Sequence, residues 1–423
     1  MRALPLAAAL LAAALLAAAA AATAQTAYDV FVDGIHPARI SVDDDGRGGA
    51  YRYGDGPGEA LALAGACDRL ACALTAVDSA LSVRFTRSPT SLEGVLRLGD
   101  GRELLLVGTR RYAGADAPLP DACAGGLWLR GYRSADEGYD LALARLPAGR
   151  LAGTLHVRAL ATSFPASGAV DADGALALDL TRVDGAPAGH LAAEPADSGA
   201  LAVTLALDAG DGRAAEVPLA LARTDDLALG CLQAGGTRDL AFPRVGVARA
   251  DLELGRRVRL WWSALTEEAA AGARASGWFE PVRLGEDYLS GWQHLRLPDG
   301  RAESHAVTVD RARGRLLRGT ASLAGSRRER EALRTEARAR AEAAHPLADD
   351  PAFRAWAADQ SLAEFVVARE GLTFGGEHHP VYGQLRWTEP WDALAPSRGL
   401  VDLLPEWLRG WVGGVPAERE GGE

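Results

Sequence analysis

In FGGEHHPVYGQLRW, residues 374–387, Glu377, His378 and His379 follow one another, and nowhere else in the 423-residue chain do two imidazoles stand side by side next to a carboxylate. Imidazoles with a carboxylate make a donor set for zinc or iron, but a metal centre needs three or four ligands converging on one point. The local chain works against that. Pro380 pushes His379 toward an extended conformation, adjacent side chains of an extended segment point to opposite faces, and no third ligand stands at a suitable spacing. The segment therefore reads as the polar tip of a hairpin, with no metal.

Other candidate chemistry is thin. Asp171-Ala172-Asp173-Gly174 begins like a calcium loop, but Ala175 and Arg182 occupy the fifth and twelfth ligand positions. Asp43-Asp44-Asp45-Gly46 fails the same test with Arg47 in fifth place. Both read as turns. The chain contains no H-E-x-x-H, G-x-S-x-G or dinucleotide-binding glycine pattern. It also contains no Lys, so all 45 basic residues are Arg, which excludes a Walker lysine, a Schiff base and a Ser-Lys dyad. The expectation is no catalytic residue and no cofactor. The alternative is a glycan hydrolase whose carboxylate pair is assembled from distant points of the chain.

The first residues, MRALPLAAALLAAALLAAAAAATAQ, place Arg2 before an Ala/Leu stretch that ends in Ala22-Thr23-Ala24, the pattern of a secretory signal peptide cleaved after about Ala24. A secreted or periplasmic mature chain without a membrane span follows. Its four cysteines, Cys67, Cys72, Cys123 and Cys231, are an even count suited to an oxidising compartment and to disulfides. Cys67 and Cys72 flank a four-residue connection between two apolar runs, which makes them cross-strand neighbours in a hairpin; Cys123 and Cys231 are then left for each other, among three formal connectivities. The formal net charge is −11, and residues 1–24 carry one Arg and no acid. An acidic mature chain does not suit nucleic-acid phosphates.

Residues 25–122 and 123–240 read as two related antiparallel β units, built of short alternating runs with Asp-Gly turns such as VLRLGDGRELLLVG and VDADGALALDLTRVDG. Both loosely resemble a β module of secreted bacterial proteins, with Gly49, Tyr51 and Tyr53 leading to Leu61, Leu63 and Gly65, and Val217-Pro218-Leu219-Ala220-Leu221 as the closing strand. Composition changes near residues 235–250, and nine of ten Trp lie beyond residue 260. Trp261 and Trp262, in the expected strand RVRLWWSAL, are the candidate binding residues, since adjacent strand positions face opposite sides. Helices are predicted at SRREREALRTEARARAEAAHP, with Leu333, Ala337, Ala341 and Ala344 on one face, and from Asp350-Pro351 with Phe353, Trp356 and Ala357 inward. Leu400, Leu403, Leu404, Trp407, Leu408 and Trp411 predict a last helix that docks on its own domain, before a flexible tail at 416–423.

The C-terminal part, residues 245–415, predicts an α+β domain. SHAVTVDRARGRLL with Asp310 and Gly314, EFVVAREGLTF, and VYGQLRWTEPWDAL resemble, in that order, the extracytoplasmic domain of the lysozyme-sensing anti-sigma factor RsiV, also found beside peptidoglycan deacetylase domains. The resemblance implies an accessory, non-enzymatic envelope module that binds a basic protein such as lysozyme, or peptidoglycan. The deacetylase metal motif itself is missing.

Overall fold

The computed structural model describes residues 25–391 apart from 33–35, 55–58, 69–70, 88–90, 113–118, 121, 124–125, 184, 197–198, 209–213, 267–272, 287, 318, 324–325 and 380. The expected signal peptide, the helix around Leu400–Trp411 and the tail lie outside the described residues. The protein is mainly β, and its contacts separate two compact units at Tyr112/Ala113.

The first unit is a closed eight-stranded antiparallel barrel: β1 (Gln25–Val32), β2 (His36–Asp43), β3 (Gly48–Tyr53), β4 (Leu61–Cys67), β5 (Ala71–Ala76), β6 (Ser82–Arg87), β7 (Ser91–Arg97) and β8 (Glu103–Arg111). Each strand pairs with the next, and β1 closes on β8 with Tyr28 opposite Arg110. Alternation does the sorting. Tyr28, Val30 and Val32 of β1, Ile40 and Val42 of β2, Leu74 of β5 and Phe85 of β6 fill the interior, as eight strands enclose just enough room for side chains. The outer face carries ion pairs, with Asp29 3.2 Å from Arg39 and 2.6 Å from Arg111, and Arg84 3.0 Å from Glu103. Apolar inside and charged outside is the reverse of a membrane barrel. Gly101, at φ +84°, makes the β7–β8 turn, and Cys67 pairs across the β4–β5 hairpin with Cys72, Cα atoms 4.0 Å apart.

The second unit contains another eight-stranded ring. Its strands are β9 (Trp128–Ser134), β10 (Tyr139–Arg145), β11 (Arg150–Val157), β12 (Thr162–Val170), β13 (Leu176–Thr181), β14 (Pro187–Pro195), β15 (Leu201–Asp208) and the 21-residue β16 (Ala214–Ala234). Consecutive strands pair antiparallel, and β16 pairs with β15 through Leu221 and then with β9 from Leu221 to Leu227, which closes the circle. Leu141, Leu155, Leu178, Leu191, Val203 and Leu221 are among the buried residues inside. The rest of β16, Ala228 to Ala234, leaves the ring and pairs with β17 (Arg238–Arg244), starting an open sheet. The Cys123–Cys231 disulfide, Cα atoms 5.3 Å apart, ties the segment before β9 to this departing end.

From β17 the chain runs through α1 (Ala248–Thr266) to β18 (Ala275–Leu284), which lies parallel to β17. Parallel neighbours need a crossover, and a helix supplies it. This corrects the strand expected at RVRLWWSAL. Ala250, Leu254, Val258, Trp261 and Leu265 recur at helical spacing and are buried, so the short local alternation was a fragment of a longer period. Trp261 is 1 % and Trp262 8 % exposed; they form core, not a binding platform. The sheet continues antiparallel through β19 (Tyr288–Arg296), β20 (Ala302–Asp310) and β21 (Arg315–Leu317), unbroken across the composition change at 235–250. α1 packs on β17, β18 and β21, while a three-stranded sheet of β22 (Glu364–Val367), β23 (Gly371–His379) and β24 (Gly383–Pro390) packs on β20.

Two further helices cover the small sheet's side. α2 (Arg327–Ala344) starts with a reciprocal capping box between Ser326 and Glu329 and buries Leu333, Ala337 and Ala341. Ala344, expected on that face, is exposed. α3 (Pro351–Ala358) starts at Asp350, whose carboxylate accepts from the Ala352 N–H, and buries Phe353 and Ala357.

The two disulfides close loops of very different length, with sequence separations of 108 and 5. In the loop-entropy account, stabilisation grows with loop length, to about 4–5 kcal/mol for a loop of about 100 residues and clearly less for a short one. Replacing Cys123 and Cys231 together by Ser is expected to lower the denaturant midpoint of the second unit more than the Cys67/Cys72 double replacement lowers that of the first. Equilibrium melts of the two double variants check the order.

Candidate functional site

On the second unit, the ring, the small sheet and the end of α2 together surround a cleft of about 400 Å³. Thr162 and Ser163 come from the start of β12, Arg182 from the β13–β14 turn, Glu370 from the β22–β23 turn, and Arg386 and Trp387 from β24. Local structure explains each position. Ala161 adopts a left-handed conformation (φ 46°) that turns the chain into β12, and Gly185 (φ 82°) closes the turn carrying Arg182, with the Gly185 N–H donating to the Arg182 carbonyl.

Beneath this cleft Ser163, Glu370 and His156 meet. The Ser163 hydroxyl donates to Glu370 Oε2 at 2.7 Å, and His156 Nδ1 lies 3.3 Å from Ser163 Oγ and 3.2 Å from Glu370 Oε2. The residue types are those of a nucleophilic triad. The geometry is not, because a relay needs one ring nitrogen on the serine and the other on the carboxylate. Here Nδ1 serves both, and the serine proton already points at the carboxylate. The cluster is a clasp that pins the β22–β23 turn to the ring. Neighbouring bonds reinforce it: Arg369 donates to Asp140 of β10 at 2.9 Å, and Trp391 Nε1 donates to the Arg369 carbonyl at 2.7 Å.

The other wall is an ionic network. Arg386 approaches Glu280 at 3.4 Å, donates to Gln384 at 2.6 Å and lies over the Trp292 ring, 5.1 Å from its centroid. Burial alone would raise the Glu280 carboxyl, but the Arg386 guanidinium and the hydrogen bond from His294 hold it down at about 2. Farther along β24, Arg340 of α2 grips Glu389, with one contact at 2.6 Å, and the Trp387 indole N–H donates to the same carboxylate at 2.9 Å. That bond fixes the plane in which Trp387 meets the cleft.

The Glu377-His378-His379 triplet lies at the end of β23, whose pairing extends through His378 opposite Gln384 and His379 opposite Gly383. The strand thus reaches farther than the connection expected there. His379 Nδ1 accepts the N–H groups of Val381 (3.1 Å) and Tyr382 (3.2 Å), and its ring stacks on Tyr382 at 4.3 Å. His378 faces a different environment: burial first, then its neighbours His294 and Arg386, push it down to about 4. Among the described residues no three metal-ligand side chains converge. Trp261 and Trp262 lie under the opposite face of the open sheet, with Trp261 beside His305 at 6.0 Å, and take no part in the cleft. Ser163, Arg182, Glu370 and Trp387 were not legible as a set, because up to 224 residues separate them; Arg182, Glu370 and Trp387 fell inside segments singled out for other reasons, and Ser163 in none. No protein-family model matches the chain, and no curated protein matches it.

The two shifted groups predict an acid response in two stages. His378 is harder to protonate in the fold than its ordinary 6.5, so the folded state loses stability as pH falls from about 6.5 to 4. Glu280 is depressed from 4.5 to about 2, so its contribution is full above 4.5 and is lost as pH falls toward 2. Glu280→Gln is expected to remove the lower stage, on the order of 3 kcal/mol at neutral pH, and His378→Gln the upper one. Thermal melts of the three proteins from pH 7 to pH 2 check both.

Proposed function

We propose that this chain is a secreted or periplasmic envelope protein whose cleft beside Trp387 binds a cell-wall ligand non-enzymatically. The cleft carries the reading. Its volume of about 400 Å³ falls in the range of small-ligand sites, and its lining offers an indole together with hydroxyl, amide, guanidinium and carboxylate groups, a repertoire suited to a glycan or short peptide. Glu370 is the one carboxylate residue among the lining residues, whereas glycoside hydrolysis uses two, about 5–9.5 Å apart; this favours binding over hydrolysis. Two disulfides fit an oxidising compartment. No helix among the described residues is long and apolar enough to cross a membrane. We read the part from residue 245 onward as an α+β module of the RsiV-like kind; the succession of β20, the Gly314 turn, β21, helices, β22, β23 and β24 supports that reading.

The test is calorimetric titration of the mature protein with soluble peptidoglycan fragments. Saturable binding is expected, weakened at least tenfold in Trp387→Ala. Absence of binding by glycan and stem-peptide fragments alike would reject the cleft as a cell-wall site.

A basic, lysozyme-type protein is the second reading, favoured by the net charge of −11 together with the resemblance. Screening acts beyond about 10 Å at 0.1 M ionic strength, so added salt is expected to slow association several-fold and alter dissociation less. Saturable 1:1 binding of purified C-type lysozyme that persists near physiological salt supports a specific partner; binding that fades there marks diffuse charge attraction.

A further inference from the structure

Behind the cleft's ionic wall, where Arg386 meets Glu280, a second Ser-His-Glu set has the connectivity that the first lacks. His294 of β19 stands between Ser304 of β20 and Glu280 of β18. Its Nδ1 lies 2.8 Å from Ser304 Oγ, and its Nε2 lies 2.7 Å from Glu280 Oε2. The ionised carboxylate can only accept, so Nε2 carries the proton and Nδ1 presents its lone pair to the serine hydroxyl. Arg386 at 3.4 Å from the other Glu280 oxygen fixes the carboxylate in turn.

The sheet register enforces this contact. The Ala306 N–H donates to Glu364 at 2.5 Å and the Ala306 carbonyl accepts from Arg257 at 3.0 Å, so the Trp292–Ala306 pair stands outside the ladder. By the two-residue alternation of an antiparallel pair, so does His294–Ser304. Such pairs bring side chains closest, and they aim the Ser304 N–H away from β19. On that side β21 reaches only Thr308. The Ser304 N–H therefore has no ladder partner in β19 or β21. Ser304 and His294 are each 7 % exposed, and the half-buried Trp278 flanks His294, ring centroids 5.1 Å apart.

We propose that Ser304, His294 and Glu280 form a nucleophilic relay that accepts the acyl group of small O-acyl esters. Ser304 Oγ bonds to the carbonyl carbon as its proton passes to His294 Nδ1. The ester C–O bond then breaks, and the departing alcohol takes that proton. Water, deprotonated by the same nitrogen, releases the carboxylic acid and restores the serine. Glu280 is a positioning residue that stays ionised and holds the imidazole tautomer. This goes beyond the cleft reading and does not depend on it.

The experiment exposes the full chain to a fluorophosphonate and maps the adduct by peptide mass spectrometry, with p-nitrophenyl acetate turnover in parallel. An adduct on Ser304 is expected, absent in Ser304→Ala and formed at least tenfold more slowly in His294→Gln. In Glu280→Gln the pH profile of labelling should shift, with partial recovery in Glu280→Asp; a merely structural carboxylate would leave that profile in place. Natively folded wild-type protein that gives no Ser304 adduct overturns the proposal whatever the variants do. Labelling unchanged in a folded His294→Gln overturns it as well.

Discussion

The second unit depends on how one strand satisfies its backbone. β16 has 21 residues and three successive partners: β15 up to Leu221, β9 to Leu227, then β17 from Ala228. A strand edge left open exposes unpaired N–H and C=O groups. By pairing first with β15 and then with β9, β16 removes both open edges of the eight-stranded ring. Its continuation onto β17 supplies the template for the open sheet. The register shift between Arg223 and Asp225 falls where β16 runs along β9, and such irregularities bend and twist a strand. Ring, open sheet and everything carried on the open sheet therefore share one continuous hydrogen-bonded framework.

An all-arginine basic complement shapes what is built on that framework. Lysine presents a compact point charge, whereas guanidinium is a planar fork that also stacks on aromatic rings. Arg386 uses these capacities together, meeting Glu280, Gln384 and the face of Trp292. Arg340 holds Glu389 and Glu336 at once. Arg386 and Glu280 are a buried pair, which contributes little net stability but is costly to break from one side, whereas Arg340 is partly exposed. Such pairs act chiefly to hold β18, β24 and α2 in a single arrangement, with the cleft walls fixed as a result.

Two clusters with the same three residue types show why composition does not define chemistry. At His156 one ring nitrogen faces both the hydroxyl and the carboxylate, so the imidazole has no separate route for a proton. At His294 the two nitrogens face different partners. The difference comes from strand placement. Glu370 reaches His156 from a turn of the small sheet, on the side where Ser163 already lies, while Glu280 and Ser304 approach His294 from the two strands that flank it.

By itself the sequence determined what short-range physics decides. Alternation marked short strands, as in VLRLGDGRELLLVG and VDADGALALDLTRVDG. Asp100-Gly101 and Asp173-Gly174 marked turns because glycine tolerates the positive φ found there. Asp350-Pro351 marked a helix start, and the Cys67–Cys72 hairpin followed from a four-residue connection. Tertiary structure decided what depends on neighbours distant in the chain. Alternation says which face of a strand is buried but not which strand lies beside it, so the closure of β1 on β8 and the three partners of β16 were not legible. RVRLWWSAL fits a strand over a few residues and a helix over nineteen, and the parallel pairing of β17 with β18 selected the helix. The cleft is further still from local rules: Ser163, Arg182, Glu370 and Trp387 meet only because the ring and the small sheet, each folded by its own pattern, are packed against each other.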